Sequence, residues 1–186
     1  MKLPGRNWQI FIQCRKNEDS RKELFDQIWN QYQGRIVYFI RNMIRDNAED
    51  LFQDIMLKVY QNLERYNPVY SFDTWIYTIA RNHCLNHLNR KKISIVNPDS
   101  ENTETLEGMD NDSPEKIFFD TELRQNIETL LRRLDRDNRQ IAFLYYYEGM
   151  KNRNIAHIMK IPTGTVKSRL HKIRALLKKD LEKFYG

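Results

Sequence analysis

NRNIAHIMKIPTGTVKSRLHKIRALL, residues 152–177, predicts two helices joined by a tight turn. Ile155, Ala156, Ile158 and Met159 give the first helix an apolar stripe, and the small Ala156 lets another helix approach closely. Pro162 disfavours the α region at Ile161 and suits the start of a new helix, so the chain turns there and resumes at about Thr163. In the second helix Val166, Leu170, Ile173 and Leu177 recur at three- and four-residue spacing and point inward. Lys167, Ser168, Arg169, His171, Lys172 and Arg174 are thereby turned outward or to the flanks.

This is the helix-turn-helix pattern, whose second helix offers base contacts from its N-terminal half and phosphate contacts from its flanks. An ordinary amphipathic hairpin with a solvated basic face has the same spacing. Charge separates the two readings. Residues 151–186 hold ten Lys or Arg against two acids, an excess that favours a polyanionic partner.

The full chain of 186 residues carries a net charge of +6 and is 40% hydrophobic, enough for one ordinary core or two small ones. The two cysteines, Cys14 and Cys84, lack the spacing of a disulfide framework and suit a reducing compartment. No apolar run of about eighteen residues and no signal-type N-terminal core occur, so a cytoplasmic location is expected.

Earlier in the chain, Ser20 and Glu23 form a capping-box pattern ahead of Leu24, Phe25, Ile28, Trp29 and Tyr32. After Gly34, Ile36, Val37, Ile40 and Ile44 continue at helical spacing to Asp46-Asn47, where Asn47 is expected to cap the next helix. That helix, Ala48 to about Leu63, sets Leu51, Phe52, Ile55, Met56, Val59 and Tyr60 inward. Glu49 and Asp50 favour its dipole, but Gln53 and Asp54 extend the polar face beyond the first turn, as a protein-binding surface would.

Arg65 to Phe72 breaks helical pattern around Pro68, and Tyr66, Tyr70 and Phe72 place three aromatics on one loop. They can stack on unpaired bases or pin the loop to the core. A helix from Thr74 to about Asn89 follows and ends in Arg90-Lys91-Lys92. His83, Cys84 and His87 stand near one another on it, yet no second ligand pair follows at zinc-site spacing, so neither a metal nor another cofactor is expected.

Residues 99–115 hold seven acids and no Lys or Arg, with few large apolar side chains. Such a segment reads as a mobile acidic linker. Ser113-Pro114-Glu115 then opens a helix, and another runs from about Arg136 to Tyr147 and stops at Gly149, a residue suited to a left-handed cap. Tyr145, Tyr146 and Tyr147 lie on different faces, so at most two of them are expected to be buried. The expected fold is all-α: two small helical domains, 1–95 and 115–186, joined by an acidic linker at 96–114, with the helix-turn-helix in the second.

Three blocks in the first half are informative together: Asn47 to Asp54, Val59 to Leu63, and Phe72-Asp73-Thr74-Trp75-Ile76-Tyr77-Thr78-Ile79-Ala80-Arg81-Asn82. In order and spacing they resemble the second conserved region of bacterial sigma factors of the extracytoplasmic-function group. Tyr147-Glu148-Gly149, Ile155-Ala156 and Ile161 to Leu170 resemble the fourth. The resemblance implies a non-enzymatic promoter-specificity subunit that binds core RNA polymerase and promoter DNA, and it implies an anti-sigma partner.

The resemblance also assigns roles to residues. Asp50, Gln53 and Asp54 match positions that dock on the polymerase clamp. Tyr66, Asn67, Tyr70, Ser71 and Phe72 match the loop that captures a flipped base of the −10 element, and Trp75, Arg81 and Asn82 the adjoining melting surface. Arg90, Lys91 and Lys92 are expected phosphate contacts. Thr165, Lys167, Ser168, Arg169, His171 and Lys172 match the reader of the −35 element. The linker resembles the connector that threads toward the polymerase active site.

Three positions depart from the family pattern: Asn154 stands for the usual Glu, Lys160 for the turn Gly and Asp135 for a common Pro. Lys160 is therefore expected at positive φ, and Asp135 as a helix N-cap. A serine recombinase would need an upstream catalytic α/β domain, and the first ninety or so residues show no strand alternation. A stand-alone helix-turn-helix regulator would leave the Asp50–Asp54 face and the aromatic loop without a task.

Overall fold

The computed structural model describes the backbone of residues 6–44, 47–96, 131 and 133–185, with side-chain surroundings for 9–44, 47–91, 131 and 133–178. Every described element is helical. The first half consists of α1 (Arg6–Gln13), α2 (Glu18–Arg41), α3 (Ala48–Asn62), a 3-10 turn (Leu63–Arg65) and α4 (Phe72–Val96). The second half consists of α5 (Arg136–Ala142), a π turn (Phe143–Tyr147), α6 (Asn152–Met159) and α7 (Thr163–Tyr185).

α2, α3 and α4 pack together around Ile36, Phe39 and Ile40 of α2, Ile55, Met56 and Val59 of α3, and Ile76, Tyr77 and Ala80 of α4, all without exposed surface. Each such side chain contributes about 1.5–3 kcal/mol from burial, so this three-helix contact defines the first module. α2 runs unbroken through Gly34. Its cap is Asn17, not the expected Ser20: the Asn17 Oδ1 accepts from the Ser20 amide at 2.8 Å, and Ser20 lies inside the first turn.

Asn47 does not cap α3 with its side chain as expected. It takes a left-handed conformation (φ 56), which asparagine tolerates better than most residues, and so reverses the chain into α3. α4 starts two residues before the expected Thr74, where the Ser71 hydroxyl accepts from the Thr74 amide at 3.2 Å, and it runs on to Val96.

In the second half, Asp135 caps α5 as expected, its Oδ1 accepting from the Asn138 amide at 2.8 Å. α5 then widens into the π turn, and Gly149 (φ 63) closes it. Tyr146 and Tyr147 are 50% and 56% exposed and Tyr145 is half-buried, so none of the three joins the core fully. The expected acidic linker and most of the expected helix after Pro114 lie outside the described residues.

The helix-turn-helix forms as the periodicity predicts. Lys160 sits at φ 55, and the Ile161 amide donates to the Ala156 carbonyl at 3.1 Å, the long bond of a Schellman turn normally closed by glycine. Val166, Leu170 and Ile173 of α7 are buried against α5 and α6. The two halves also meet: α4 packs along α6, and the buried side chains of both form one contiguous core.

Candidate nucleic-acid interface

Burying Val166, Leu170 and Ile173 fixes the rotation of α7, and the helical repeat then decides what faces out. Lys167, Ser168, His171 and Lys172 are exposed, with Thr165 and Arg169 half-buried at the edges. The Ser168 hydroxyl donates to the Thr165 carbonyl at 3.0 Å, so its remaining capacity is as an acceptor. Arg169 is drawn back toward α5, its Nη1 lying 3.4 Å from Asp137 Oδ2. The result is an exposed cationic row on a rigid helix, open to a groove on its N-terminal half.

On the opposite module, Asp50, Gln53 and Asp54 are all exposed along α3. Asp54 is held by a short relay: Lys58 Nζ lies 2.6 Å from His83 Nδ1, and His83 Nε2 lies 3.5 Å from Asp54 Oδ2. An ammonium can only donate, so Nδ1 accepts and the proton sits on Nε2, facing the carboxylate. Burial first, then the Lys58 charge, pushes His83 below its ordinary value, with Asp54 opposing. Its neighbour Cys84 is buried in the core, where desolvation pushes the thiol up to about 12.

In the loop between the 3-10 turn and α4, two of the three rings take the core-pinning alternative. Tyr66 and Phe72 are buried, with their centroids 5.2 Å apart, and Trp75 packs on both. The Tyr66 hydroxyl donates to the Tyr70 carbonyl at 3.0 Å, and burial pushes this phenol up to about 12. These two rings brace the loop from below because their apolar area is worth more in the core than in water. What the loop shows to solvent is Asn67, Val69 and Tyr70.

Tyr70 in turn stacks on His157 of α6, with centroids 4.0 Å apart and planes 24° from parallel. Arg81, expected on an open DNA surface, is 7% exposed. Its Nε donates to Gln140 Oε1 at 3.2 Å and its Nη2 lies 3.7 Å from Asp137 Oδ1. The reason is hydrogen-bond demand: a guanidinium on the inner face of α4 finds its acceptors on α5, even though burial lowers its pKa and only Asp137 raises it. Asn82 is half-buried, Arg90 and Lys91 are exposed further along α4, and the Lys92 side chain lies outside the described surroundings.

Residues that sequence reasoning did not single out hold this seam together. Arg35 of α2 pairs with Glu148, its Nε 3.1 Å from Oε1, and also reaches Asp73 at 3.2 Å. Burial is the largest single influence and opposes the Arg35 charge, but the bond to Glu148 together with the charges of Tyr77, Glu148 and Tyr32 outweighs it and holds the guanidinium above its usual pKa. Tyr38 and Tyr147 stack beside the pair at 5.8 Å. The signal was present in Tyr147-Glu148-Gly149: an acid just before a left-handed glycine has its direction fixed by the turn.

Comparison with known proteins gives concordant results. The profile described as Sigma-70 region 2 matches residues 28–93, and that described as Sigma-70, region 4 matches residues 124–177. The chain is 31% identical over 169 residues to the RNA polymerase sigma-H factor of Pseudomonas aeruginosa, covering 87% of this chain and 88% of that one. It is 27% identical to the ECF RNA polymerase sigma-E factor of Haemophilus influenzae, covering 87% and 89%. Its fold is similar to that of the sigma factor RpoE crystallised with the anti-sigma factor NepR from Bartonella quintana, with a TM-score of 0.66 and 22% identity over 85% of this chain and 96% of that one.

Proposed function

The chain belongs to the extracytoplasmic-function branch of the sigma-70 family, and from that premise we propose how its residues divide the work of directing core RNA polymerase to promoters. The first module, residues 1–95, docks on the polymerase clamp through Asp50, Gln53 and Asp54 and meets the −10 element through its loop and α4. The second, residues 115–186, reads the −35 element through Thr165, Lys167, Ser168, Arg169, His171 and Lys172. Residues 96–114 connect them. The protein performs no chemistry of its own; it works where the polymerase works, and no described helix is long and apolar enough to cross a membrane.

The observation that carries this reading is the pairing of two chemically opposite exposed faces, acidic on α3 and cationic on α7, on modules whose apolar rows are buried. A stand-alone regulator needs only the second. In the −10 module, Tyr66 and Phe72 serve as braces, while Asn67, Tyr70, Ser71, Trp75 and Asn82 are the side chains within reach of a melted strand, with Arg90, Lys91 and Lys92 on the adjoining phosphates. Arg81 is covered by α5, so it reaches DNA only after the seam between the modules parts, whereas Tyr70 stacks on His157 of α6 and stays exposed. The relative crystallised with an anti-sigma factor supports a similar partner here.

Run-off transcription from supercoiled genomic DNA tests the reading. Purified core polymerase with this chain should start at sites that core alone does not use, and the mapped starts should share two spaced upstream elements. Unchanged start sites would reject a promoter-directing role.

A further inference from the structure

Asp54 of the acidic face meets a residue that reaches it from another helix. Its side chain is 64% exposed, while the His83 side chain that approaches it from α4 is only 13% exposed. The ring is therefore held where α3 and α4 pack, and its Nε2 lies 3.5 Å from Asp54 Oδ2. On the other edge of the ring, Lys58 Nζ lies 2.6 Å from Nδ1. Lys58 follows Asp54 by one turn of α3 and is itself exposed, so the Nδ1 lone pair keeps an ammonium against the ring instead of over the acidic face. A carboxylate aimed in advance loses less rotamer freedom when a partner arrives.

We infer that His83 is a positioning residue for core-polymerase docking, its neutral ring aiming Asp54 and holding Lys58 aside, a role that rests on the reading that Asp54 meets the polymerase. Among the described residues, the charged and titratable groups facing the ring are Asp54 and Lys58 of α3 and His87 one turn along α4. A proton on Nδ1 removes the acceptor for Lys58 and sets two cations against each other, so the ammonium leaves. The Nε2–H then pairs as an ion with Asp54. The carboxylate faces a cation of its own chain in place of the partner's, and the face has gained a positive charge. Docking on a cationic surface therefore favours the neutral ring, and it weakens as the pH falls below about 6.5, the ordinary imidazole value.

The test titrates the labelled full chain with core polymerase between about pH 5 and 7.5, at the values where circular dichroism shows each variant folded. Wild-type affinity should fall about tenfold from the top of this range to the bottom. His83→Gln places a carboxamide N–H toward Asp54 but does not titrate, so it should lose that fall; titrations on the polymerase side are common to both chains and cancel. At pH 7.5, His83→Ala should bind core less tightly than His83→Gln, because it offers Asp54 no donor. Parallel profiles for wild type and His83→Gln, with Asp54→Asn weakened at pH 7.5, overturn the role of His83 alone. Asp54→Asn that binds core as tightly as wild type overturns the docking reading and the inference with it.

Discussion

Arg35 and Glu148, 113 residues apart in the chain, form a paired contact in which the Glu148 side chain is 1% exposed. One partner lies on α2 and the other at the end of the π turn, so the pair ties the first module to the second. Removing the arginine leaves a carboxylate without water or counterion, and this asymmetry sets the first prediction. Arg35→Ala should destabilise the chain by about 3 kcal/mol, the low end for breaking a buried pair because Arg35 itself is 27% exposed. Glu148→Gln should lose only about 1 kcal/mol, since a neutral amide costs far less to enclose. Urea denaturation of both variants measures the difference; equal losses would show that the charge is not what matters there.

Asp137 lies 3.7 Å from Arg81 and 3.4 Å from Arg169, one assigned to the −10 surface and the other to the −35 reader. On the proposed roles, this one carboxylate contacts two DNA-directed cations, Arg81 sharing its hold with Gln140. Asp137→Ala should increase the affinity of the free chain for promoter duplex and steepen its salt dependence by about 0.9 for each phosphate contact released. Stability should change by about 1 kcal/mol or less, because the Asp137 side chain is 46% exposed. Fluorescence titration at several salt concentrations reads both quantities, and an unaltered slope would mean that neither arginine is freed.

The His83 relay predicts a pH dependence with a definite sign. His83 is shifted below its ordinary 6.5 by burial and Lys58, with His87 adding to the effect and Asp54 opposing it. Below that value the unfolded chain takes a proton that the folded chain refuses, so stability is complete above about pH 6.5 and is lost as the pH falls toward the folded value. Protonation at Nδ1 would also expel Lys58, while the Nε2–H facing Asp54 would become part of an ion pair. Denaturation curves between about pH 5 and 7.5 should show this slope in the wild type and a flatter one in His83→Gln. The same slope in both would place the titration elsewhere.

Lys160 shows how much of the turn was legible and at what cost. Pro162 marked the turn, the resemblance put Lys160 at the position of the family's turn glycine and so at positive φ, and φ is 55. A side chain there is strained by about 1–2 kcal/mol, and glycine gives back part of the gain as backbone entropy. Lys160→Gly should therefore stabilise the chain by about 0.5–1 kcal/mol, seen as a rise in thermal midpoint. A fall would mean that the lysine makes contacts that outweigh its strain.

Local rules carried the reading as far as local physics goes. The inward row of α7, the Asp135 cap and the Gly149 cap each depend on neighbours within one or two turns, and each lies where expected. Ser20 and Asn17 are both competent caps three residues apart, so the pattern alone does not choose between them, and the helix uses Asn17. Tyr66 and Phe72 were left between base stacking and core packing because periodicity lapses in a loop. The seam was invisible for a related reason: periodicity identifies an apolar or polar face but not what covers it, so Arg81 looked available until Gln140 and Asp137 were found against it.

Lys167 and Lys172 give the last prediction, for the reader helix itself. Both are exposed on the side of α7 opposite Val166, Leu170 and Ile173, so truncating them leaves the core untouched and any loss falls on DNA. A lysine on a base edge and a lysine on a phosphate fail differently. Lys167→Ala or Lys172→Ala at a base contact should weaken holoenzyme binding to its −35 element by about 1–3 kcal/mol and relax discrimination at one position. At a phosphate contact the loss should be uniform across sequences, with the salt slope shallower by about one unit. Competition between promoter variants at two salt concentrations separates these outcomes. If neither variant changed affinity, discrimination or slope, this face of α7 would not be the one that meets the groove.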